Sequence, residues 1–488
     1  MDGKLNLPFY LILILSIFIS LINSQEEINQ LRWTFELINH GARSPHKDLD
    51  SNFKDFSNHT WIGQNELTGV GLRQSTLIGF RDKIRYIEEK KLISDIYDPR
   101  NILVYSSENN RTLMSANALL HGLFPPGTGP TIDPSLVDRA VPPVNSELYK
   151  EEKDRLDSCN NTALPDRMSL VPVHVYFDHE FFTQYETSKK CKSLKTYEEK
   201  NKKREDVVNF LKEMNRKYYN IDKIFPNQGK TLEDYEFAYT FFDTLLSLYY
   251  EAADEFDTII KLLNMDGKEE DVINDCKEFL FNKNIVGYGI DNDKDFINYL
   301  VSPLFNKIIH FIDLKISKDS SKEENYHGYD LPKYYLISAV GNTCGTFMSF
   351  MNKYFNTSIK PVEYGVNLHL ELYLKNKTGE PITENNYILE YYYNDEFLLS
   401  IPYTEFKQKI KNELYNSSEI INFCSLKEEE EDDTNYYLIG TIIGGVIVVI
   451  LLIVIIIVFR KRKLENDDID SDNPAESEGL VRDTRISS

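Results

Sequence analysis

Two short hydrophobic runs, each ending in a turn that carries an arginine, constrain the fold of this 488-residue chain more than any other feature. The first run, 33–38, leads into a turn with His40 and Arg43, and the second, 102–105, leads to Arg111 and a helix-like stretch. Strands followed by helices predict a parallel sheet, and anions commonly bind at the edge where such strands end. We therefore predict an α/β core with an anion pocket containing these three side chains.

The order of the other elements predicts a core that a helical segment interrupts. Lysine, glutamate and aromatic residues increase in the middle of the chain, where apolar residues recur at helical spacing and 232–263 is predicted as one helix. Further on, 334–339 is predicted as a buried central strand, 317–325 as a polar loop, and a chain reversal is expected at Asn394-Asp395. The predicted segments are 25–170 for the first part of the core, 171–284 for the helical cap and 285–426 for the second part of the core.

The same residues carry a family resemblance. The segment 39–45 resembles the Arg-His-Gly-x-Arg-x-Pro signature of the histidine acid phosphatases, and 107–116 resembles their second arginine motif. The likeness extends over most of 31–424. It implies an α/β core with a central, mostly parallel sheet flanked by helices and an inserted helical cap.

The resemblance also implies roles for individual residues. In that family the first histidine attacks phosphorus while arginines hold the phosphate oxygens, so His40 takes the nucleophile position and Arg43 and Arg111 two phosphate-binding positions. This chemistry needs no cofactor and no metal, and no metal-ligand spacing is visible in the sequence. The expected ligand is phosphate or a phosphomonoester.

Two parts of the family's site are replaced in this chain. The first arginine of the signature is Asn39, whose neutral amide cannot make a charged bidentate contact. The family's later His-Asp pair falls on Val340-Gly341 in one alignment register and on Gly341-Asn342 in the other, and neither offers an acid. A missing general acid costs about 10²–10⁴ in rate, and a missing charge contact about 10²–10³. We therefore expect weak or absent hydrolysis.

Three alternatives stay open at this point. The first is an active acid phosphatase in which Glu108, His46, His174 or His179 donates the proton, although His174 is more readily explained by core packing. The second is a binding or structural glycoprotein on the same scaffold. The third is that the two arginines form structural ion pairs, for example with Glu108.

The ends of the chain indicate the secretory route. A charged start and an apolar run predict a signal peptide at 1–24. An acidic stalk at 427–437 precedes 438–459, 22 uncharged residues that are long enough to cross a bilayer. The basic residues that follow predict a cytoplasmic tail at 460–488. We expect a single-pass type I membrane protein at the cell surface or facing an endosomal or lysosomal lumen, with a possible homodimer through Gly440 and Gly444.

Charge and cysteine content add two further expectations. The net charge of −22 argues against a nucleic-acid partner, which normally meets a basic face. Five cysteines in an oxidising compartment suggest two disulfides and one thiol, and the family resemblance implies a Cys191–Cys424 bridge. Several sequons, including one at Asn110, predict a glycoprotein.

Overall fold

The computed structural model describes residues 27–47, 59–142, 146–149, 151–152, 162–176, 199–226, 228–283, 294–321, 331–377, 380–425, 456, 457 and 460. The chain divides into two compact units, 1–426 and 427–488. All elements named below belong to the first unit.

Strands and helices alternate in the first part of the chain, helices dominate its middle, and three strands lie near its end. The strands are β1 (Glu27–Asn39), β2 (Ile102–Ser106), β3 (His174–Val175), β4 (Tyr334–Ala339), β5 (Asn367–Lys377), β6 (Tyr387–Tyr393) and β7 (Glu396–Pro402). The α-helices are α1 (Gly69–Asp82), α2 (Asn110–Leu123), α3 (Glu205–Lys217), α4 (Tyr235–Glu251), α5 (Ala253–Leu262), α6 (Glu269–Lys277), α7 (Lys294–Ser321), α8 (Gly341–Phe355), α9 (Tyr403–Ile410) and α10 (Ser417–Ser425). Wider π-helical turns extend α1 over Lys83–Glu89 and α6 over Glu278–Lys283, and short 3-10 helices lie at Pro134–Arg139, Ser146–Tyr149, Pro165–Arg167, Ile221–Lys223 and Glu384–Asn386.

In the part of the chain that the structure describes, seven strands form one sheet in the order β3-β2-β4-β1-β5-β6-β7. Pairings on the β3 side of β1 are parallel, whereas β1–β5, β5–β6 and β6–β7 are antiparallel. The sheet is therefore mixed, and the expectation of a mostly parallel sheet was wrong. β5, β6 and β7 follow one another through short connections, which cannot make the crossover that parallel pairing requires, so β5–β6 and β6–β7 must be antiparallel. The antiparallel β1–β5 pair joins two strands that are distant in the chain.

The predicted strand 334–339 and the predicted reversal at Asn394-Asp395 are both confirmed. β4 is buried along its whole length, as expected for a strand with neighbours on both sides and helices on both faces. Asn394 and Asp395 have φ values of 45° and 66°, the left-handed backbone of a two-residue hairpin turn between β6 and β7.

Helices cover both faces of the sheet. On one face α1 and α2 pack against residues such as Val104 and Leu336, and on the other α7 and α8 pack against residues such as Phe35. α1 and α2 cross with their backbones in contact. A Cβ added at Gly79 would lie 1.9 Å from the Leu119 carbonyl oxygen, so only glycine allows the two helix backbones to come this close.

Residues 199–283, called the helical insertion below, contain α3 to α6 around aromatic side chains such as Phe242 and Phe279, whose ring centroids are 5.5 Å apart. The single helix predicted over 232–263 is two helices, because Ala252 has φ −145° and ψ 70° and ends α4. The polar loop predicted over 317–325 was also wrong in its first part, since α7 continues to Ser321. Residues 322–325 lie outside the described residues.

Several predictions about termini and cysteines fall on residues that the structure does not describe: the signal peptide, the acidic stalk and nearly all of 438–459. In the described part of the chain, no helix combines the length and apolarity needed to cross a bilayer. Cys276 and Cys344 are free and buried. Two free thiols among five cysteines exclude two disulfides within the chain. Cys424 is disulfide-bonded, but Cys191 lies outside the described residues, so the Cys191–Cys424 pairing stays a prediction.

Candidate active site

His40 directly follows β1, the strand between β4 and β5. Its backbone N–H donates to the Ala339 carbonyl at 3.3 Å, and its carbonyl accepts from Gly365 N–H at 3.0 Å. The turn then passes against the first turn of α1, where a Cβ on Gly41 would lie 2.3 Å from the Gly71 carbonyl oxygen. Glycine at position 41 is therefore a steric requirement of the turn that holds His40 and Arg43.

The His40 imidazole is in the form that a nucleophile needs. Its Nδ1 lies 2.8 Å from the Gly41 carbonyl oxygen, which can only accept, so Nδ1 carries the proton and Nε2 keeps its lone pair. Burial, followed by the positive charges of Arg111 and Arg43, lowers the pKa of His40 well below its ordinary value. The ring is therefore neutral over a broad pH range.

Arg111 reaches the same place from β2. α2 begins at Asn110, so the predicted helix start beside this arginine is confirmed. The Arg111 guanidinium is buried and donates from Nη1 to Asn109 Oδ1 at 3.2 Å. Thr112 fixes the turn because its hydroxyl donates to the Asn109 carbonyl at 2.8 Å.

Arg43 forms a buried ion pair that the sequence did not reveal. Its Nη2 and Nη1 donate to Asp243 Oδ1 and Oδ2 at 2.8 and 3.1 Å, and Nη1 also donates to the Ser44 carbonyl at 2.9 Å. Burial disfavours the charged guanidinium, but Asp243, Tyr364 and Tyr239 together outweigh burial and raise the pKa of Arg43. These contacts use three of the five N–H groups, so at most two remain for an anion.

Asp243 belongs to α4 in the helical insertion. Besides Arg43, its Oδ2 accepts from the backbone N–H of His46 at 2.7 Å. The partner of Arg43 is therefore Asp243, and the ion pair with Glu108 suggested for it was wrong. One signal in the sequence could have found Asp243: it is the only charged residue in the otherwise uncharged run 237–250. A lone charge in such a helix calls for a buried partner.

The replaced positions also lie at the pocket. Asn39 is buried and donates from Nδ2 to the Glu363 carbonyl at 2.8 Å, while its Oδ1 has no hydrogen-bond partner among the described residues. Val340 is the N-cap of α8, and Gly341 and Asn342 are the first two residues of that helix. The backbone amides at this end carry a partial positive charge, but no side chain at 340–342 can donate a proton as an acid.

Together these groups surround a pocket of about 290 Å³. Its lining residues are Asn39, His40, Arg43, His46, Lys47, Asn65, Arg111, Val340, Gly341, Asn342 and Tyr364, with Asn201, Lys202, Tyr235, Glu236, Tyr239, Asp243, Leu280, Phe281 and Lys283 from the helical insertion. The structure thus brings to one pocket the seven positions that the sequence assigns to the phosphate site, which are Asn39, His40, Arg43, Arg111, Val340, Gly341 and Asn342. Basic side chains outnumber carboxylates in the lining, so an acidic chain has a locally cationic pocket.

The suggested proton donors differ in position. Glu108 and His174 are exposed and do not line the pocket, so core packing does not explain His174, and His179 lies outside the described residues. His46 does line the pocket, where burial and then Arg43 lower its pKa. Glu236 also lines it, but a hydrogen bond from Lys202 lowers the pKa of Glu236 and makes it a poor acid. Both Asp243 oxygens accept hydrogen bonds and cannot donate.

The sheet is mixed and lies between two helical layers. A His-Gly-Ala-Arg turn follows its first strand, and a second turn with an arginine follows the next strand along the chain. These features define an α/β protein with an anion pocket built from histidine and arginine. Residues 30–394 match the family model of the histidine phosphatase superfamily, branch 2, and the chain belongs to that family.

Curated relatives match over shorter stretches. The chain is 32% identical over 108 residues to a putative acid phosphatase of Caenorhabditis elegans, covering 21% of this chain and 24% of that protein. It is 31% identical over 140 residues to lysosomal acid phosphatase of Xenopus laevis, covering 28% of this chain and 30% of the relative. The aligned stretches therefore span less than a third of these relatives. Among solved structures, a Klebsiella phytase aligns with a TM-score of 0.43 and 14% identity, over 80% of this chain and 97% of the phytase.

Proposed function

We propose that this protein binds phosphate or a phosphomonoester in the pocket around His40, and that it hydrolyses the ester weakly or not at all. One observation carries the proposal. The pocket contains the neutral histidine and both arginines, but Asn39 stands at the first arginine position and the start of α8 offers no acid.

Binding is supported by the charges that face the pocket. Arg111, the remaining N–H groups of Arg43 and the backbone amides at the start of α8 are all donors to an anion. Lys47, Lys202 and Lys283 add positive charge toward the helical insertion. A phosphate dianion therefore finds several donors without any metal or cofactor.

Weak turnover is supported by the missing parts. Phosphoryl transfer depends on positioning and on charge stabilisation, so losing one fixed guanidinium is expected to cost about 10²–10³ in rate. An alkoxide leaving group also needs a proton donor, and the absence of this donor is expected to lower the rate by about 10²–10⁴. The two losses act on one transition state and do not multiply freely. Hydrolysis of aryl phosphates should be slowed less, because their aryloxide leaving groups are weaker bases and need a proton less.

The first experiment compares binding and turnover in the full-length chain. Phosphate binding is measured by calorimetry, and hydrolysis of an aryl phosphate is followed from pH 4 to 7, each beside His40→Ala and Arg111→Gln. We expect phosphate binding that Arg111→Gln weakens, together with no turnover that depends on His40. Hydrolysis that His40→Ala abolishes would show an intact nucleophile and contradict the proposal.

A second candidate function is an active acid phosphatase in which His46 protonates the leaving group. The observation in its favour is that His46 lines the pocket and has a lowered pKa, so it becomes a donor only in acid. This candidate predicts turnover that rises as the pH falls and that both His46→Gln and His40→Ala abolish. A structural glycoprotein with no ligand predicts instead that phosphate does not raise the melting temperature.

We also propose a single-pass type I topology, with 1–24 as a signal peptide and 438–459 as the membrane span. The uncharged length of 438–459 and the basic cluster after it support this orientation. The name of the Xenopus relative supports an endosomal or lysosomal lumen as one destination. Protease protection of the tail in sealed vesicles, with a glycosidase-sensitive mass shift of the remainder, tests the topology and the glycosylation together.

A further inference from the structure

A second polar cluster lies inside the core, between the sheet and α1. Glu36 on β1 and His369 on β5 are direct cross-strand partners, and Asp82 is the last residue of α1. Each is at most 1% exposed. The potential ligand atoms of the three side chains all lie within 4.8 Å of one another. We propose that Glu36, Asp82 and His369 form a buried site for one divalent transition-metal ion, most simply Zn²⁺.

One ring nitrogen of His369 is held by a hydrogen bond and the other has no partner among the described residues. Tyr86 Oη lies 2.8 Å from Nδ1, and this hydrogen bond holds the ring. Nε2 is buried and has no hydrogen-bond partner among the described residues. Metal-binding histidines commonly fix one ring nitrogen through such an outer contact and coordinate with the other. A buried nitrogen left without a partner otherwise loses the hydrogen bond that water would give it in the unfolded chain.

The two carboxylates lack a basic partner. No ion pair in the described part of the chain involves Glu36 or Asp82, and the nearby Arg85 is bound to Glu371. Tyr334 Oη lies 2.5 Å from Glu36 and 3.3 Å from Asp82, Asn367 Nδ2 lies 3.4 Å from Glu36, and the two carboxyl groups also hydrogen-bond each other. Buried charges normally pair with one another or coordinate metals. A divalent cation would balance both carboxylates at once.

The ligand set selects the metal class. One imidazole nitrogen with two carboxylate oxygens suits Zn²⁺ and similar ions, whose bonds of about 2.0–2.2 Å place tetrahedral ligands about 3.4 Å apart. Ligand atoms that lie up to 4.8 Å apart must close by up to about 1.4 Å to reach that geometry. Tyr334 Oη is available as a fourth ligand or an outer contact.

The site is structural rather than catalytic. Its three side chains are buried from solvent, and Glu36 lies on β1 four residues before His40, a separation of about 13 Å. A bound ion would tie α1 to β1 and β5 beneath the His40 turn. The alternative without metal is a proton held between the two carboxyl groups, since burial and the neighbouring Glu36 raise the pKa of Asp82.

The test uses the untagged full-length chain, purified without chelator. Metal content is measured by mass spectrometry, and the melting temperature is measured after chelator treatment and again after ZnCl₂ is added. Asp82→Asn and His369→Gln remove one ligand each with little change of shape. His310→Gln, on the exposed face of α7, is the matched control.

We expect about one zinc per chain in the parent and in His310→Gln. Asp82→Asn and His369→Gln should each hold less than about a tenth of that amount, because even the loss of a residue that only contacts a metal ligand lowers metal affinity about 10- to 100-fold. ZnCl₂ should restore the melting temperature of the chelated parent. A metal-free parent whose melting temperature responds to neither chelator nor ZnCl₂ would overturn the proposal and leave the shared proton. This comparison needs no variant, so a variant that fails to fold does not remove the test.

Discussion

Replacing Asp243 with asparagine separates the two roles of Arg43, as an anchor for the helical insertion and as a ligand for an anion. In the parent chain the Arg43–Asp243 pair is buried, with side chains 9% and 2% exposed. Asparagine keeps the shape and one acceptor oxygen but removes the charge. Arg43 is then left as a buried cation without its counter-ion.

The expected loss of stability follows from that burial. Removing one partner of a buried ion pair costs about 3–5 kcal/mol, and the retained acceptor places Asp243→Asn near the lower value, about 3 kcal/mol. Phosphate should recover part of this loss, because the freed N–H groups can turn to the anion. One additional charged hydrogen bond of about 1.5–3 kcal/mol corresponds to roughly 10- to 150-fold tighter phosphate binding.

The assay measures the melting temperature with and without phosphate and the phosphate Kd by calorimetry. Asp319→Asn is the matched control, because Asp319 forms a bidentate pair with Arg32 at 2.6 and 3.0 Å and does not line the pocket. It should lower stability and leave the Kd unchanged. A folded Asp243→Asn protein that binds phosphate no more tightly than the parent would refute the reasoning, because Arg43 would then not be available to the anion.

Three further predictions concern the first motif. The pKa of His40 is lower in the folded protein than in the unfolded chain, so below about pH 6.5 the unfolded chain binds more protons and the free energy of unfolding falls as the pH falls. His40→Asn should reduce this fall by up to about 1.4 kcal/mol per pH unit, measured by denaturant titrations. Asn39→Arg restores a charged fork and should tighten phosphate binding about 10-fold or more by calorimetry; unchanged binding would mean that position 39 does not reach the anion. Gly41→Ala should cost about 1–3 kcal/mol and weaken phosphate binding, whereas Gly69→Ala, with nothing within 4 Å of its added Cβ, should do neither in the same melting and binding assays.

Much of the fold was predictable because its signals are local. The hydrophobic run before His40, the helix after Arg111 and the mostly apolar strand 334–339 each depend on neighbouring residues only. The mixed sheet was not predicted, since strand direction depends on how distant segments pair. Helix ends were misjudged where one residue decided them, as at Ala252, whose backbone conformation separates α4 from α5.

The sequence by itself determined the family and the grouping of His40, Arg43 and Arg111, because strand-turn-helix units place their turns at one edge of a sheet. Only the tertiary structure decided that Arg43 pairs with Asp243, 200 residues away. It also decided that Glu36 and His369, which are 333 residues apart in the chain, lie opposite each other with Asp82 above them. These contacts depend on sheet pairing and helix docking, whose free energy comes from burial of the whole core rather than from any local pattern.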